Sequence, residues 1–362
     1  MKKLGFGFMR LPKLENGELD LEQCTKMVDA FLEAGFTYFD TAHNYIGGKS
    51  ETALKACLTS RYPRDRYVLT NKLTHTFFEQ QEQIAPLIDA QLEACGVTYF
   101  DYCLVHSVTS NNYDKHVRCN SFLELQKLKE QGKIRHIGFS FHDHPEFLEK
   151  VLQEHPEVEV VQLQFNYLDM ENPDVESRRC YEVCRKYGKP VLVMEPVKGG
   201  ALAKLPAEAA KVLDDLGGGS HASYAIRFAA SHEGVFRVLS GMSTLEQMED
   251  NIQFMSEFHP LDEKELAALE RVRDIITAQP SIPCTSCRYC VDGCPKEIQI
   301  PDLFGLYNQK AVYLSPGWSY ESKTKDHGKA SDCVGCGQCE DICPQHIPIR
   351  EWLKKVAEAF EK

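Results

Sequence analysis

The sequence predicts an α/β chain: a (β/α)8 TIM barrel over residues 1–278, followed by a small, cysteine-rich α+β domain over residues 279–362. Eight short β-rich runs alternate with amphipathic helical stretches from Leu4 to about Leu239, the pattern that forces parallel strands joined by crossover helices. Eight such units in about 260 residues fit a closed barrel better than an open doubly wound sheet. The composition then changes at Gln279-Pro280-Ser281-Ile282-Pro283, where two prolines frame a linker and helical periodicity stops. Of the 15 cysteines, eight fall between Cys284 and Cys343, a concentration that points to chemistry rather than to disulfide stapling.

In order, the runs are Leu4 to Met9, Phe36 to Asp40, Tyr67 to Lys72, Asp101 to Val105, Ile134 to Ser140, Val158 to Gln164, Pro190 to Glu195 and Val235 to Ser240. Helix signals lie between them. Asp20 is an N-cap with Gln23 three residues on, Leu21, Cys24, Val28, Phe31 and Leu32 make one apolar stripe, and Gly35 sits at the stop. Ser121 with Glu124, the stripe Phe122, Leu125 and Leu128, and Gly132 repeat the arrangement. A further helix, Asp262 to about Thr277, is expected on the outside of the barrel.

Charge and hydropathy exclude whole classes of function. Lys and Arg number 41 against 53 Asp and Glu, a formal net charge of −12, which argues against a nucleic-acid binder that tracks phosphates. No stretch approaches the roughly 20 apolar residues of a membrane span, and no apolar run follows the N-terminal lysines. A cytoplasmic protein is the expectation.

The cysteines carry an internal repeat. Cys284, Cys287, Cys290 and Cys294-Pro295 read C-x2-C-x2-C-x3-C-P, and Cys333, Cys336, Cys339 and Cys343-Pro344 read the same. This run resembles that of bacterial ferredoxins, in which three close thiolates wrap one 4Fe-4S cluster and the fourth reaches to the other. Two clusters are expected, one on Cys284, Cys287, Cys290 and Cys343, the other on Cys333, Cys336, Cys339 and Cys294. A pair of zinc sites is the competing reading, but the four ligands of zinc usually come as two separated pairs. Tyr307, Tyr313, Trp318 and Tyr320 would cover the clusters. The remaining cysteines, Cys24, Cys57, Cys95, Cys103, Cys119, Cys180 and Cys184, read as inert buried thiols.

Catalytic residues of such a barrel project from the C-terminal ends of its strands. Asp40 ends the second run, Lys72 the third, His106 follows the fourth and Ser140 ends the fifth, while Tyr45 lies five residues past Asp40 and can turn back over the mouth. His43 lines the mouth by position alone. His142, Asp143 and His144-Pro145 could suggest a metal, but at the start of a helix Asp143 reads as a cap.

The segments Gly5-Phe6-Gly7-Phe8-Met9-Arg10-Leu11, Asp40-Thr41-Ala42-His43-Asn44-Tyr45, Ser50-Glu51, Asn71-Lys72 and Asp101-Tyr102-Cys103-Leu104-Val105-His106 resemble the aldo-keto reductase family, in order from about residue 4 to 255. The resemblance implies a nicotinamide cofactor, NAD(H) or NADP(H), held without a Rossmann fold, and a catalytic tetrad of Asp40, Tyr45, Lys72 and His106. It also places Ser140 and Gln162 at the carboxamide, Lys198 with Gly199 and Gly200 near the pyrophosphate, and Gln247 and Asn251 around the adenosine, with Gly241 and Ser243 among the other cofactor contacts. Ser243 to Glu246 reads as a capping box opening the last barrel helix, a ready anion site. Two departures stand out. Ser140 is followed by Phe141 where the family carries Asn, and Gly241 and Gln247 stand where many NADPH-using members place basic residues.

Hydride reduction of a carbonyl leaves an alkoxide, so a site needs a proton donor and a group that polarises the oxygen. Tyr45 can donate, a Lys72 ammonium favours its ionisation, Asp40 keeps Lys72 charged, and His106 can orient the carbonyl. The leading expectation is an oxidoreductase that reduces a small aldehyde or ketone and carries an appended electron-transfer domain. The alternative is an iron-sulfur carrier whose barrel docks a redox partner protein or binds flavin, since hydride carries two electrons and each cluster passes one.

Overall fold

The computed structural model describes residues 2–172, 175–278, 281–313 and 318–361; the linker expected at 279–283 lies in part, at 279 and 280, outside the described residues. Eight strands close a barrel in sequence order: β1 (Leu4–Gly7), β2 (Tyr38–Asp40), β3 (Val68–Thr74), β4 (Phe100–Val108), β5 (Ile134–Phe141), β6 (Val160–Gln164), β7 (Val191–Met194) and β8 (Val235–Ser240). All eight neighbouring pairs are parallel, β8 closing on β1. Parallel strands covered by helices are buried on both faces and so read as near-continuous apolar runs, which is why each is visible in the sequence. Tyr38, Leu104, Val160 and Leu239, one from each even-numbered strand, pack as a layer inside the barrel. Gly138 in β5 permits a close approach of β6, because a Cβ there would sit 2.3 Å from the carbonyl oxygen of Val160.

The first crossover helix, Leu21–Glu33, starts where Asp20 Oδ1 accepts from the Gln23 N–H at 2.9 Å and buries Cys24, Met27, Val28, Phe31 and Leu32. Three other helix starts differ from expectation by one residue. Helix Ser121–Glu130 is preceded by Asn120 in a left-handed conformation (φ 49°), and the Ser121 hydroxyl is paired with His116 Nδ1 at 3.0 Å instead of capping. Asp143 accepts from the Ser110 N–H at 2.6 Å, and His144 occupies the cap of Pro145–Glu154. Helix Leu245–Ser256 is capped by Thr244, whose hydroxyl accepts from the Gln247 N–H at 3.2 Å, while Gln247 Oε1 accepts from the Ser243 N–H at 2.8 Å.

The barrel unit comprises residues 2–172, 176–196 and 222–263; a second compact unit gathers 197–221 and 264–361. That second unit takes in helix Glu263–Thr277 from Lys264 onward and is built from Ile300–Tyr313, Trp318–Thr324 and Ile349–Phe360, with Ile298, Leu303, Phe304, Leu353 and Val356 in its core. No strand occurs among its described residues, so the expected α+β ferredoxin-like fold is corrected to a helical one. The physical reason is spacing. Only two or three residues separate successive cysteines, too few for a ladder, and the spacer places Ile300, Leu303 and Phe304 at helical intervals. Tyr307 meets Trp352 edge to face at 5.6 Å and Tyr320 stacks on Phe360 at 5.0 Å. The side chains of Tyr313 and Trp318 lie outside the description.

Candidate active site

Barrel topology brings Asp40, Tyr45, Lys72 and His106 to one rim. Asp40 ends β2, whereas β3 and β4 run two residues past Lys72 and His106. Lys72 Nζ donates to Asp40 Oδ1 at 2.6 Å and to the Thr41 carbonyl at 2.9 Å, with both charged side chains buried. Tyr45 arrives from a turn in which its N–H donates to the Ala42 carbonyl at 3.1 Å. Ile46, Gly47 and Gly48 then take positive φ in succession (55°, 60° and 83°), which doubles the chain back so that Ser50 N–H reaches the Tyr45 carbonyl at 3.3 Å. The Ser50 hydroxyl donates to the Phe8 carbonyl at 2.8 Å, pinning this loop to the segment after β1. The Lys72 ammonium lies 4.7 Å from the centre of the Tyr45 ring, and that ring meets His106 edge to face at 5.9 Å.

Burial sets the electrostatics. It pushes the Lys72 ammonium below the ordinary lysine range, opposed by Asp40, and pushes the Asp40 carboxyl up, opposed by Lys72. Each charge is tenable because the other faces it. Burial, then Lys72 and His142, hold His106 well below the ordinary histidine range, so its ring is neutral. Its Nδ1 pairs with Thr74 Oγ1 at 2.7 Å, which fixes its orientation.

His116 is likewise lowered by burial, to about 3. Below the unfolded histidine value near 6.5 the unfolded chain takes up protons that these two folded rings refuse, so stability falls with acidification, by ~1.4 kcal/mol per pH unit for each ring. The urea midpoint is expected to drop between pH 7 and pH 5.5. An unchanged midpoint would show that both rings protonate within the fold.

Of the residues expected at a cofactor, Ser140 and Gln162 are register partners on β5 and β6. Gln162 is buried and its Oε1 has no hydrogen-bond partner, an acceptor that suits the N–H of a carboxamide. Ser140 Oγ accepts from the Ser107 N–H at 2.7 Å. Phe141 is core, packing on Phe139 and Phe147. Gly241 lies against Arg10, whose side-chain carbons are 3.4 to 3.5 Å from where a Cβ would stand, and the Ser243 hydroxyl donates to the Arg10 carbonyl at 2.7 Å. Asn251 Nδ2 donates to the Gln247 carbonyl at 2.9 Å and its buried Oδ1 has no partner. Lys198 and Gly199 belong to the second unit. There Lys198 Nζ donates to Gln345 at 3.4 Å, and a Cβ on Gly199 would stand 2.4 Å from the Thr285 carbonyl oxygen.

The sequence reading missed a buried network beneath the tetrad. Glu51 Oε1 accepts from Asn71 Nδ2 at 2.8 Å and Gln91 Nε2 at 3.2 Å, while Oε2 pairs with His43 Nδ1 at 2.8 Å. Its signal was the charged Glu51 six residues past Tyr45, quoted in the motif without a role. Arg10 beside Gly241 was also missed, since the residues are distant in sequence.

The eight repeat cysteines sort into two groups. Cys284, Cys287, Cys290 and Cys343 line one small cavity, and Cys294, Cys333, Cys336 and Cys339 another. Burial raises the thiols of Cys290, Cys343 and Cys339, the last to about 11. Among the described residues no group of three or more His, Cys, Asp or Glu side chains is arranged to hold a metal ion. The expectation of two 4Fe-4S clusters, and with it an iron-sulfur electron-transfer domain and the carrier alternative, is corrected accordingly. No flavin-binding site is evident among the described residues either, and flavin is withdrawn with them.

Comparison with known proteins gives two family matches. The model of the aldo/keto reductase family matches residues 3–274, and that of a 4Fe-4S dicluster domain matches 283–347. L-galactose dehydrogenase of Arabidopsis thaliana is 24% identical over 289 residues, covering 74% of this chain and 89% of the relative. An aldo-keto reductase of Klebsiella pneumoniae solved in complex with NADPH superposes with a TM-score of 0.62 at 19% identity, over 75% of this chain and 90% of that one. An aldo-keto reductase of Bacillus halodurans in its holo form does so with a TM-score of 0.62 at 23% identity, over 75% and 91%. No helix among the described residues is long and apolar enough to cross a membrane.

Proposed function

Because the chain belongs to the aldo/keto reductase family and is an NAD(P)-dependent oxidoreductase of that type, we propose that it reduces a small aldehyde or ketone to an alcohol, with Tyr45 as proton donor. The observation that carries this reading is the buried Lys72–Asp40 pair set beneath Tyr45 with the neutral His106 beside it. A bound reduced nicotinamide supplies the hydride. His106 orients the carbonyl oxygen by hydrogen bonding, and the Tyr45 hydroxyl gives its proton to the oxygen as negative charge develops there. Lys72 lies against the phenol ring and stabilises the negative charge left on it, while Asp40 and the Thr41 carbonyl keep the ammonium charged and fixed. The unpartnered Gln162 Oε1 beside Ser140 supports a carboxamide seat, and the unpartnered Asn251 Oδ1 an adenosine contact. A cytoplasmic location accords with the cysteines of the barrel, none of which is in a disulfide.

The test is nicotinamide oxidation with a set of aldehydes, using both cofactors and confirming the alcohol product. Absence of carbonyl turnover with either cofactor would overturn the reading. In the same assay NADH is expected to serve at least as well as NADPH. Helix Leu245–Ser256 contains no Lys or Arg and carries Glu246, Glu249 and Asp250, whereas a 2′-phosphate is normally met by cations. A preference for NADPH above about tenfold in kcat/KM would assign the phosphate to Arg10, and Arg10→Ala would then abolish that preference.

A further inference from the structure

The N-terminal end of the barrel, opposite the catalytic rim, holds a cation that the reaction does not use. Tyr38 and Val68 open β2 and β3 there, and Tyr102 and Arg237 stand third in β4 and β8. Two residues beyond Arg237, Leu239 belongs to the interior layer, so Arg237 points the same way along the strand. Its guanidinium carbon lies 5.4 Å from the centre of the Tyr38 ring and 5.6 Å from that of Phe236. Those two rings and Tyr102 stand 5.9 to 6.0 Å from one another, and Val68, Tyr102 and Phe236 are only partly buried.

Arg237 is 8% exposed and lacks a counter-charge. Of its donors only Nη1 is used, to the carbonyl of the preceding Phe236 at 2.7 Å. Nε is buried with no hydrogen-bond partner. Nη2 makes no hydrogen bond or ion pair among the described residues and is reached by solvent. Asp101 and Glu159, whose charges act on the neighbouring Tyr102, are held elsewhere, the first by Arg64 and Arg135, the second by Lys129 and His136. Burial draws the guanidinium below the ordinary arginine range, opposed only by the phenols of Tyr38 and Tyr102. Burying a cation in this way is costly unless an anion meets it.

We propose that the N-terminal floor of the barrel is a binding site for a small monocarboxylate, seated on the Nε–Nη2 edge of Arg237; the inference stands apart from the carbonyl-reductase reading. That edge is the side-on fork that receives both oxygens of a carboxylate. An anion arriving at Nη2 from solvent brings its second oxygen to Nε and satisfies the buried donor. A single guanidinium balances one negative charge, so a monoanion suits the floor better than a phosphate dianion. The rings of Tyr102 and Phe236 and the Val68 side chain offer an apolar wall to the hydrocarbon part of the ligand.

The experiment measures thermal unfolding of the full chain in chloride buffer of fixed ionic strength, with added benzoate, acetate or inorganic phosphate, for wild type, Arg237→Met and Arg237→Lys. Benzoate at about 100-fold its Kd is expected to raise the wild-type melting temperature by roughly 5 °C or more. Arg237→Met should lose that rise, and Arg237→Lys, which keeps the charge without the fork, should lose most of it. Without added carboxylate Arg237→Met should melt at or above wild type, because it removes a charge that has no partner, and its carbonyl turnover should match wild type. A benzoate rise that Arg237→Met retains places the carboxylate elsewhere, at the catalytic rim included, and overturns the proposal. No rise in wild type, or an Arg237→Met protein that melts well below wild type in chloride alone, shows the guanidinium to be satisfied by its rings and equally overturns it. A larger rise with phosphate than with either carboxylate removes the assigned ligand class.

Discussion

Tyr45→Phe is expected to lower kcat/KM for carbonyl reduction by about 10²- to 10⁴-fold at neutral pH, the range for losing a positioned acid catalyst, while nicotinamide binding, read by fluorescence quenching, persists. The substitution removes one oxygen and keeps the ring that meets His106 at 5.9 Å and whose centre lies 4.7 Å from the Lys72 ammonium. The turn that carries position 45 is held by backbone bonds and by Ser50 to Phe8, none of which needs the hydroxyl. Loss of rate therefore reports the proton and not the packing. Turnover close to wild type would remove Tyr45 from the donor's role and leave His106, buried and neutral, as the remaining candidate among the four.

The barrel and its rim were legible because topology does most of the placing. A buried parallel strand announces itself as an apolar run, and once eight of them alternate with helices, polar residues at their C-terminal ends must gather at one mouth. Asp40, Lys72 and His106 follow from that rule. What the sequence could not supply were choices made by tertiary partners. Ser121, Asp143 and Ser243 each looked like a cap, but neighbours in space took them: His116, the Ser110 N–H and the Arg10 carbonyl. The Glu51 network joins the loop after β2 to β3 and to helix Ile84–Cys95, contacts that no local pattern encodes. Lys198 and Gly199 illustrate a related point. The resemblance placed them near a pyrophosphate, and their contacts with Thr285 and Gln345 within the second unit are ones that no local pattern encodes. The cysteine repeat was legible as spacing alone, and the helices that carry it and its lack of a metal-ligand group among the described residues were not.

Asp40→Leu and Lys72→Met are each expected to abolish activity and to destabilise the fold by about 3–5 kcal/mol, because each leaves a buried charge without its partner. Lys72 Nζ would keep only the Thr41 carbonyl, and Asp40, whose Oδ2 already has no partner, would lose the one donor on Oδ1. At about 2 to 4 °C per kcal/mol for a domain of this size, melting temperatures should fall by roughly 6 °C or more. The double variant Asp40→Leu/Lys72→Met separates two accounts of the pair. Two apolar side chains of similar volume fill the site without desolvating any charge, so the double variant should melt well above either single variant and close to wild type, yet remain inactive. That outcome would mean the pair is retained for what it does to Tyr45 at no benefit to the fold. A double variant as unstable as the singles would instead make the Lys72–Asp40–Thr41 contacts part of what closes β2 on β3, and the site would then be stabilising the barrel that presents it.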